Sequence, residues 1–193
     1  DVGPKERRLC SRMSPVDVIS SAERGRLARL ITRLQDDPEG ADETLAGEEA
    51  TQKSDAHTVG ISGVAGAGKS TLISRMLPVL RGDDLRVVVL AIDPTSEGSQ
   101  GALLGDRIRM RDSYGDEGVF IRSMATRGSH GGVARATVDA VDAMDAFGFE
   151  ELLIETVGVG QTELDIVKVA DTVVVATVPG HIYRVKNAAP DSG

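Results

Sequence analysis

The pattern of hydrophobic and polar positions divides the chain into two parts. Residues 20–37 place a set of apolar side chains on one helical face, namely Leu27, Leu30, Ile31 and Leu34. This spacing predicts an amphipathic helix that begins at Ser20 and ends before Pro38. The apolar face packs either on the rest of this chain or on a partner subunit, and both alternatives stay open at this point.

From His57 onward, short apolar runs alternate with helical segments. The runs predict strands at about 58–63, 86–92, 119–123, 151–155 and 172–178. Helices are predicted at about 69–81, 102–111, 132–147 and 162–169. Near-continuous apolar runs are typical of parallel strands that are buried on both faces. The pattern therefore predicts an α/β fold with a doubly wound, mainly parallel sheet and an N-terminal helical extension.

Composition narrows the class of protein. The 193 residues are 40% hydrophobic, which is enough for a core, and the net charge of -8 argues against nucleic-acid binding. No apolar run reaches the 18 or so residues that a membrane span needs, so no membrane partner is expected. The single cysteine, Cys10, cannot form an internal disulfide. We expect a cytoplasmic protein.

Residues 63–70 fit the pattern G-x-x-x-x-G-K-[ST] between a predicted strand and a predicted helix. Glycines in such a loop let successive backbone N–H groups surround a phosphate at the start of the helix. Lys69 would reach the β and γ phosphates, and Ser70 would offer its hydroxyl to Mg²⁺. The alternative is a glycine-rich turn with a solvated lysine. The predicted nucleotide-binding residues of this loop are Gly63, Ala65, Gly66, Ala67, Gly68, Lys69, Ser70 and Thr71.

Acidic residues follow two other predicted strands. Asp93 comes directly after Ile92, and Glu155 comes directly after residues 152–154. In a doubly wound sheet, ligands bind at the carboxyl ends of the strands, so both carboxylates are expected near Ser70 as Mg²⁺ ligands. The alternative for each acid is a helix cap or a solvated turn residue.

The segment 155–161 has the spacing of a nucleotide-sensing switch. Gly158 follows Glu155 by three positions, which is the spacing by which a GTPase-type switch senses the γ phosphate through a backbone N–H. Gln161 could position a water molecule for hydrolysis, and its alternative role is a polar residue at a helix start.

These residues together resemble a known family. The resemblance rests on the phosphate loop and on four further segments, residues 91–96, 104–110, 131–135 and 155–161. They look like the MeaB/ArgK family, the G-protein chaperones of adenosylcobalamin-dependent methylmalonyl-CoA mutase. The match is strong over about 60–180.

The resemblance implies a P-loop NTPase with a SIMIBI-type G domain that binds GTP and GDP. It implies that Mg²⁺ is held by Ser70 with Asp93, Asp106 and Glu155, and that Lys69 and Gln161 serve catalysis. Asp106 enters by this route alone. The family hydrolyses GTP slowly until a mutase binds, and its nucleotide state gates the loading of adenosylcobalamin. A homodimer of the full-length protein is also implied.

The resemblance has limits that define the expected domains. Residues 1–56 are a leader, a helix and an acidic linker, and residues 57–180 are an incomplete GTPase domain. Residues 181–193 do not match the family pattern, and the family's guanine-reading motif, Asn-Lys-x-Asp, is absent from this chain. We therefore expect a truncated family member with a foreign tail. The alternatives are a non-hydrolysing nucleotide-binding module and another P-loop enzyme, such as a small-molecule kinase or a metallocentre-assembly GTPase.

Overall fold

The computed structural model describes residues 18–37, 40–46, 56–93, 115–125, 132–156, 166, 168–177 and 181–186. Within these ranges the helices are α1 (Ser21–Asp36), α2 (Ala41–Ala46), α3 (Lys69–Gly82) and α4 (Gly132–Ala146). The strands are β1 (His57–Gly63), β2 (Val87–Asp93), β3 (Val119–Ala125), β4 (Glu151–Thr156), β5 (Thr172–Thr177) and β6 (His181–Lys186). No helix among the described residues is long and apolar enough to cross a membrane.

All six strands form one sheet in the order β3-β2-β4-β1-β5-β6. The first five of these are parallel, and β6 pairs antiparallel with β5. The chain crosses over β4 on its way from β1 to β2, and it crosses over β1 on its way from β4 to β5. These opposite directions open a crevice at the carboxyl ends of β1 and β4, where such sheets bind ligands.

This topology confirms the predicted doubly wound, mainly parallel α/β fold. Each of the five predicted strands is present within two residues of its predicted bounds. β6 was not among the predicted elements. The predicted helix at 102–111 lies outside the described residues, and of the one at 162–169 only residues 166, 168 and 169 are described, all of them helical.

Helices cover both faces of the sheet. Successive side chains of a strand point to opposite faces, so the apolar strands place apolar side chains on both faces. Val87 and Val89 face one way and join a core with Ile73 and Leu77 of α3. The residues between them face the other way and join a core formed by α1 and α4, with β-strand members Val88, Leu90, Leu152 and Ile154. The sheet is therefore a middle layer, as the near-continuous apolar runs indicated.

Helix α1 belongs to this chain's own core. Its predicted apolar stripe is at most 1% exposed and packs with α4. Of the two alternatives, burial within the chain is therefore correct. Ser20 caps the helix, because its hydroxyl accepts from the N–H of Glu23 (3.2 Å) while the Glu23 carboxylate accepts from the N–H of Ser20 (2.8 Å).

Arginines tie the helices to the amino end of the sheet, where the strands begin. Arg24 of α1 donates to the carbonyls of Val119 (2.8 Å), Asp116 (2.9 Å) and Glu117 (2.9 Å). Arg81 of α3 donates from Nε to Oδ1 of Asp116 at 2.9 Å. These contacts hold the start of β3 between the two helices, one from each face of the sheet.

The starts of β4, β1 and β5 are linked by polar side chains. His57 Nδ1 lies 3.1 Å from Oε1 of Glu151, and His57 Nε2 lies 3.2 Å from Oγ1 of Thr172. Burial raises the pKa of the Glu151 carboxyl above its ordinary value of 4.5, and the hydrogen bond from His57 opposes that rise without cancelling it. This cluster lies at the amino ends of the strands, and the crevice lies at their carboxyl ends.

Candidate functional site

The loop after β1 has the backbone of a phosphate-binding loop. Gly63, Gly66 and Gly68 have positive φ values of 130°, 80° and 88°. At Gly63 a Cβ atom would lie 2.0 Å from the carbonyl oxygen of Ala176 in β5, so only glycine fits there. At Gly66 and Gly68 a Cβ would meet nothing within 4 Å, so these positions need glycine for their conformation alone. The loop therefore curls tightly against the sheet and stays open toward solvent.

Lys69 starts α3 and folds back over this loop. Its Nζ donates to the carbonyls of Gly63 (2.6 Å) and Val64 (3.1 Å), and the residue is only 6% exposed. An ammonium group has three donors, and these two contacts use two of them. The lysine thus places a buried positive charge inside the loop, at the N-terminal end of a helix whose dipole favours anions.

Ser70 and Glu155 meet across the crevice between β1 and β4. The Ser70 hydroxyl donates to Oε1 of Glu155 at 2.7 Å, and the two residues are 6% and 2% exposed. Glu155 lies one residue before the end of β4, in register with Ile61 of β1 and Ala91 of β2. The fold therefore brings together two residues that are 85 positions apart in the sequence.

The Ser70–Glu155 pair fits a small, hard cation. Both contacting atoms are oxygens, and adjacent ligands of an octahedral Mg²⁺ site lie about 2.9 Å apart when each metal–oxygen distance is about 2.05 Å. The observed 2.7 Å separation of Oγ and Oε1 is close to that spacing. The two oxygens could thus become neighbouring ligands without any rearrangement of the strands.

The other predicted site residues fall into three groups. Asp93 ends β2, one position beyond the pairing of Ile92 with Thr156, so its backbone lies at the same end of the sheet as Glu155. Ala65, Ala67 and Thr71 lie in or directly after the loop. Asp106, Gly158 and Gln161 lie outside the described residues.

Two residues near the site were missed by sequence reasoning. Gly60 lies within β1, and a Cβ at this position would be 2.8 Å from Cγ1 of Ile166. The glycine therefore lets Ile166 pack closely against the strand. Thr156 ends β4 and is fully buried beside Glu155. The available signals were a glycine inside a strand and a hydroxyl at the end of a strand that is buried along its whole length.

Comparison with known families gives one match that spans most of the chain. The model of the family described as "Methylmalonyl Co-A mutase-associated GTPase MeaB" matches residues 27–186. The match includes the part of α1 from Leu27 onward, the phosphate loop, the described strands and the crevice between β1 and β4. It therefore covers the site and the apolar stripe of α1 that packs behind the sheet.

Two relatives show how this segment occurs in longer proteins. A protein of Pyrococcus abyssi (strain GE5 / Orsay), named provisionally as a GTPase, is 52% identical over 165 residues, which is 86% of this chain and 51% of that protein. The fused isobutyryl-CoA mutase of Nocardia farcinica is 40% identical over 168 residues, which is 85% of this chain and 15% of that protein. The chain thus spans about half of the first relative and a smaller share of the second.

Among solved structures, the crystal structure of an LAO/AO transport system kinase is similar to this one. The TM-score is 0.50 at 24% identity, and the similarity covers 83% of this chain and 52% of that chain. At this identity the likeness supports the fold alone. It agrees with the doubly wound P-loop architecture described above.

Proposed function

Because the chain belongs to the MeaB family of methylmalonyl-CoA mutase-associated GTPases, we propose that it binds GTP with Mg²⁺ at the carboxyl end of its sheet and hydrolyses it to GDP. The observation that carries this proposal is the hydrogen bond between Ser70 and Glu155, 2.7 Å long, beside a glycine loop that contains Lys69. A glycine-rich turn without a ligand would have no use for a buried lysine, serine and glutamate at one point.

Each of these residues has a role in the proposed chemistry. The N–H groups of the loop and the start of α3 bind the phosphate oxygens, and Lys69 exchanges a carbonyl contact for the β and γ phosphates. Ser70, Glu155 and Asp93 hold the metal directly or through water, with Asp106 as a further ligand. A bound Mg²⁺ supplies charge neutralisation for the transferred phosphoryl group. Gly158 as γ-phosphate sensor and Gln161 as water-positioning residue stay predictions.

The proposed partner is an adenosylcobalamin-dependent acyl-CoA mutase. Two findings support it: the family description names a mutase, and one relative that contains a similar segment is itself named a fused mutase. In this proposal the nucleotide state gates adenosylcobalamin loading and protects the mutase, in the cytoplasm. The full-length protein would act as a homodimer.

Calorimetric titration with GTP, GDP and ATP in Mg²⁺, followed by phosphate-release assays with and without a mutase, tests the proposal. We expect binding of GTP and GDP in preference to ATP, and slow release of phosphate that the mutase accelerates. A preference for ATP would contradict the GTPase assignment. Binding of GTP without turnover, even with the mutase present, would favour a non-hydrolysing module.

A further inference from the structure

Thr156, the last residue of β4, carries a buried hydroxyl that packing does not explain. The residue is 0% exposed, and its Oγ1 has no hydrogen-bond partner among the described residues. Leu152 and Ile154 precede it on the same face of the strand and belong to the apolar core beneath α1 and α4. A valine has the same shape without the cost of a buried, unpaired hydroxyl. Burial alone therefore favours valine at this position.

The position of Thr156 connects it to the site. Its neighbour Glu155 points to the opposite face of the sheet and accepts the hydrogen bond from Ser70. Thr156 also pairs in register with Ile92, the residue before Asp93 in β2. Because Thr156 and Glu155 share a peptide unit, a contact that rotates the end of β4 also moves the Glu155 carboxylate relative to Ser70 Oγ.

We infer that Thr156 is a positioning residue of the nucleotide site: its hydroxyl, which has no hydrogen-bond partner among the described residues, gains one when Mg²⁺-GTP is bound and thereby sets the Glu155 carboxylate. The inference rests on the proposed function. An unpaired hydroxyl raises the free energy of the nucleotide-free state, and pairing lowers that of the bound state. This difference between the two states is what a ligand needs in order to shift the end of β4.

Two variants separate the hydroxyl from the shape of the side chain. Thr156→Val keeps the shape and removes the hydroxyl, and Thr156→Ser keeps the hydroxyl. For each, thermal unfolding is measured without nucleotide, and GTP affinity is measured by calorimetry in Mg²⁺ and in EDTA. We expect Thr156→Val to unfold at a higher temperature than the wild type and to bind GTP about tenfold more weakly in Mg²⁺. In EDTA its affinity should equal that of the wild type, because Thr156 acts through a metal ligand.

The control and the contradicting outcomes are distinct. Thr156→Ser keeps the hydroxyl that forms the proposed hydrogen bond, so it should bind GTP within about threefold of the wild type. A lower unfolding temperature for Thr156→Val would show that the hydroxyl already has a partner without nucleotide, which overturns the inference. Equal GTP binding by Thr156→Val and the wild type, or equal weakening in Mg²⁺ and EDTA, would overturn it as well. Failure of the wild type to bind GTP would instead overturn the proposed function, and the inference with it.

Discussion

The two ends of the central sheet use charged side chains in opposite ways. At the amino end, Arg24 and Arg81 donate to carbonyl and carboxylate groups that the fold itself holds in place. At the carboxyl end, Lys69, Ser70 and Glu155 are buried more deeply. Lys69 donates to backbone carbonyls of its own loop, and the Ser70 hydroxyl donates to the Glu155 carboxylate of β4. Both ends are polar, and backbone carbonyls accept from Lys69 as they do from Arg24, so the two ends do not differ in the kind of acceptor.

The difference lies in whether the partner can be exchanged. Arg24 and Arg81 make their contacts at the end of the sheet opposite the crevice, so these arginines stabilise the fold. The contacts of Lys69 with its own loop and of Ser70 with Glu155 leave room for phosphate oxygens and a cation to take over. We therefore expect substitutions at the amino end to change stability, and substitutions at the carboxyl end to change binding.

The largest expected effect is at Gly63, which needs glycine both for its positive φ and for its close approach to β5. Gly63→Ala would force a Cβ to within 2.0 Å of the Ala176 carbonyl oxygen at a positive φ. We expect a loss of about 4 kcal/mol or more in the free energy of unfolding, measured by urea denaturation. Gly66→Ala is the matched control: it is also at positive φ, has open space around its Cβ, and should cost about 1–2 kcal/mol. Equal losses in the two variants would contradict this account of the loop.

Lys69→Ala comes next and should affect binding. Removing a charged donor from the phosphate site should weaken GTP affinity about 100-fold, as measured by calorimetry. The free energy of unfolding should change by less than about 1 kcal/mol, because the carbonyls of Gly63 and Val64 can bind water instead. Arg75→Ala on the exposed side of the same helix is the control, with unchanged affinity. A large loss of stability with intact binding would reverse the assigned role of Lys69.

Arg24→Ala should show the opposite behaviour. It removes hydrogen bonds to three backbone carbonyls at the start of β3, and we expect a loss of about 2 kcal/mol in the free energy of unfolding. GTP affinity should stay within about twofold, since the contacts lie at the other end of the sheet. The exposed Arg29 of the same helix is the control, and Arg29→Ala should cost less than about 0.5 kcal/mol. Weakened GTP binding by folded Arg24→Ala would contradict the claim that the amino end of the sheet affects stability alone.

The smallest effect concerns pH and Glu151. Since burial raises the pKa of Glu151 in the folded protein above its ordinary value of 4.5, its contribution to stability is fully present below that value and is lost as the pH rises through the raised pKa. Replacing it with glutamine removes this titration. Urea denaturation between pH 4 and pH 7 should therefore show Glu151→Gln gaining stability relative to the wild type as the pH rises. A pH-independent difference between the two proteins would contradict the raised pKa.

Sequence patterns predicted most of this fold because buried parallel strands leave near-continuous apolar runs. They also predicted that Lys69, Ser70 and Glu155 lie together, since strand ends meet at one end of a parallel sheet. The role of Arg24 could not be predicted, because its acceptors Asp116 and Val119 are 92 and 95 positions away. Strand β6 (His181–Lys186) was not predicted, because residues 181–193 were interpreted as a tail that does not match the family pattern.

The finer features of the site were hidden for a physical reason. The sequence indicated that Ser70 and Glu155 each bind Mg²⁺, but their direct hydrogen bond depends on the register of β4 against β1. Register follows from tertiary packing and is not written in either segment alone. The unpaired hydroxyl of Thr156 is likewise visible only once its neighbours are placed.

The most direct test of the central claim is the Mg²⁺ dependence of GTP binding in the wild type and in Glu155→Gln. GTP affinity is measured by calorimetry in Mg²⁺ and in EDTA for both proteins. We expect Mg²⁺ to raise the wild-type affinity about tenfold or more, and the Glu155→Gln affinity by much less, with both proteins equal in EDTA. An affinity that Mg²⁺ does not change in the wild type, or that it raises equally in both proteins, would contradict a magnesium–nucleotide site at the carboxyl end of the sheet.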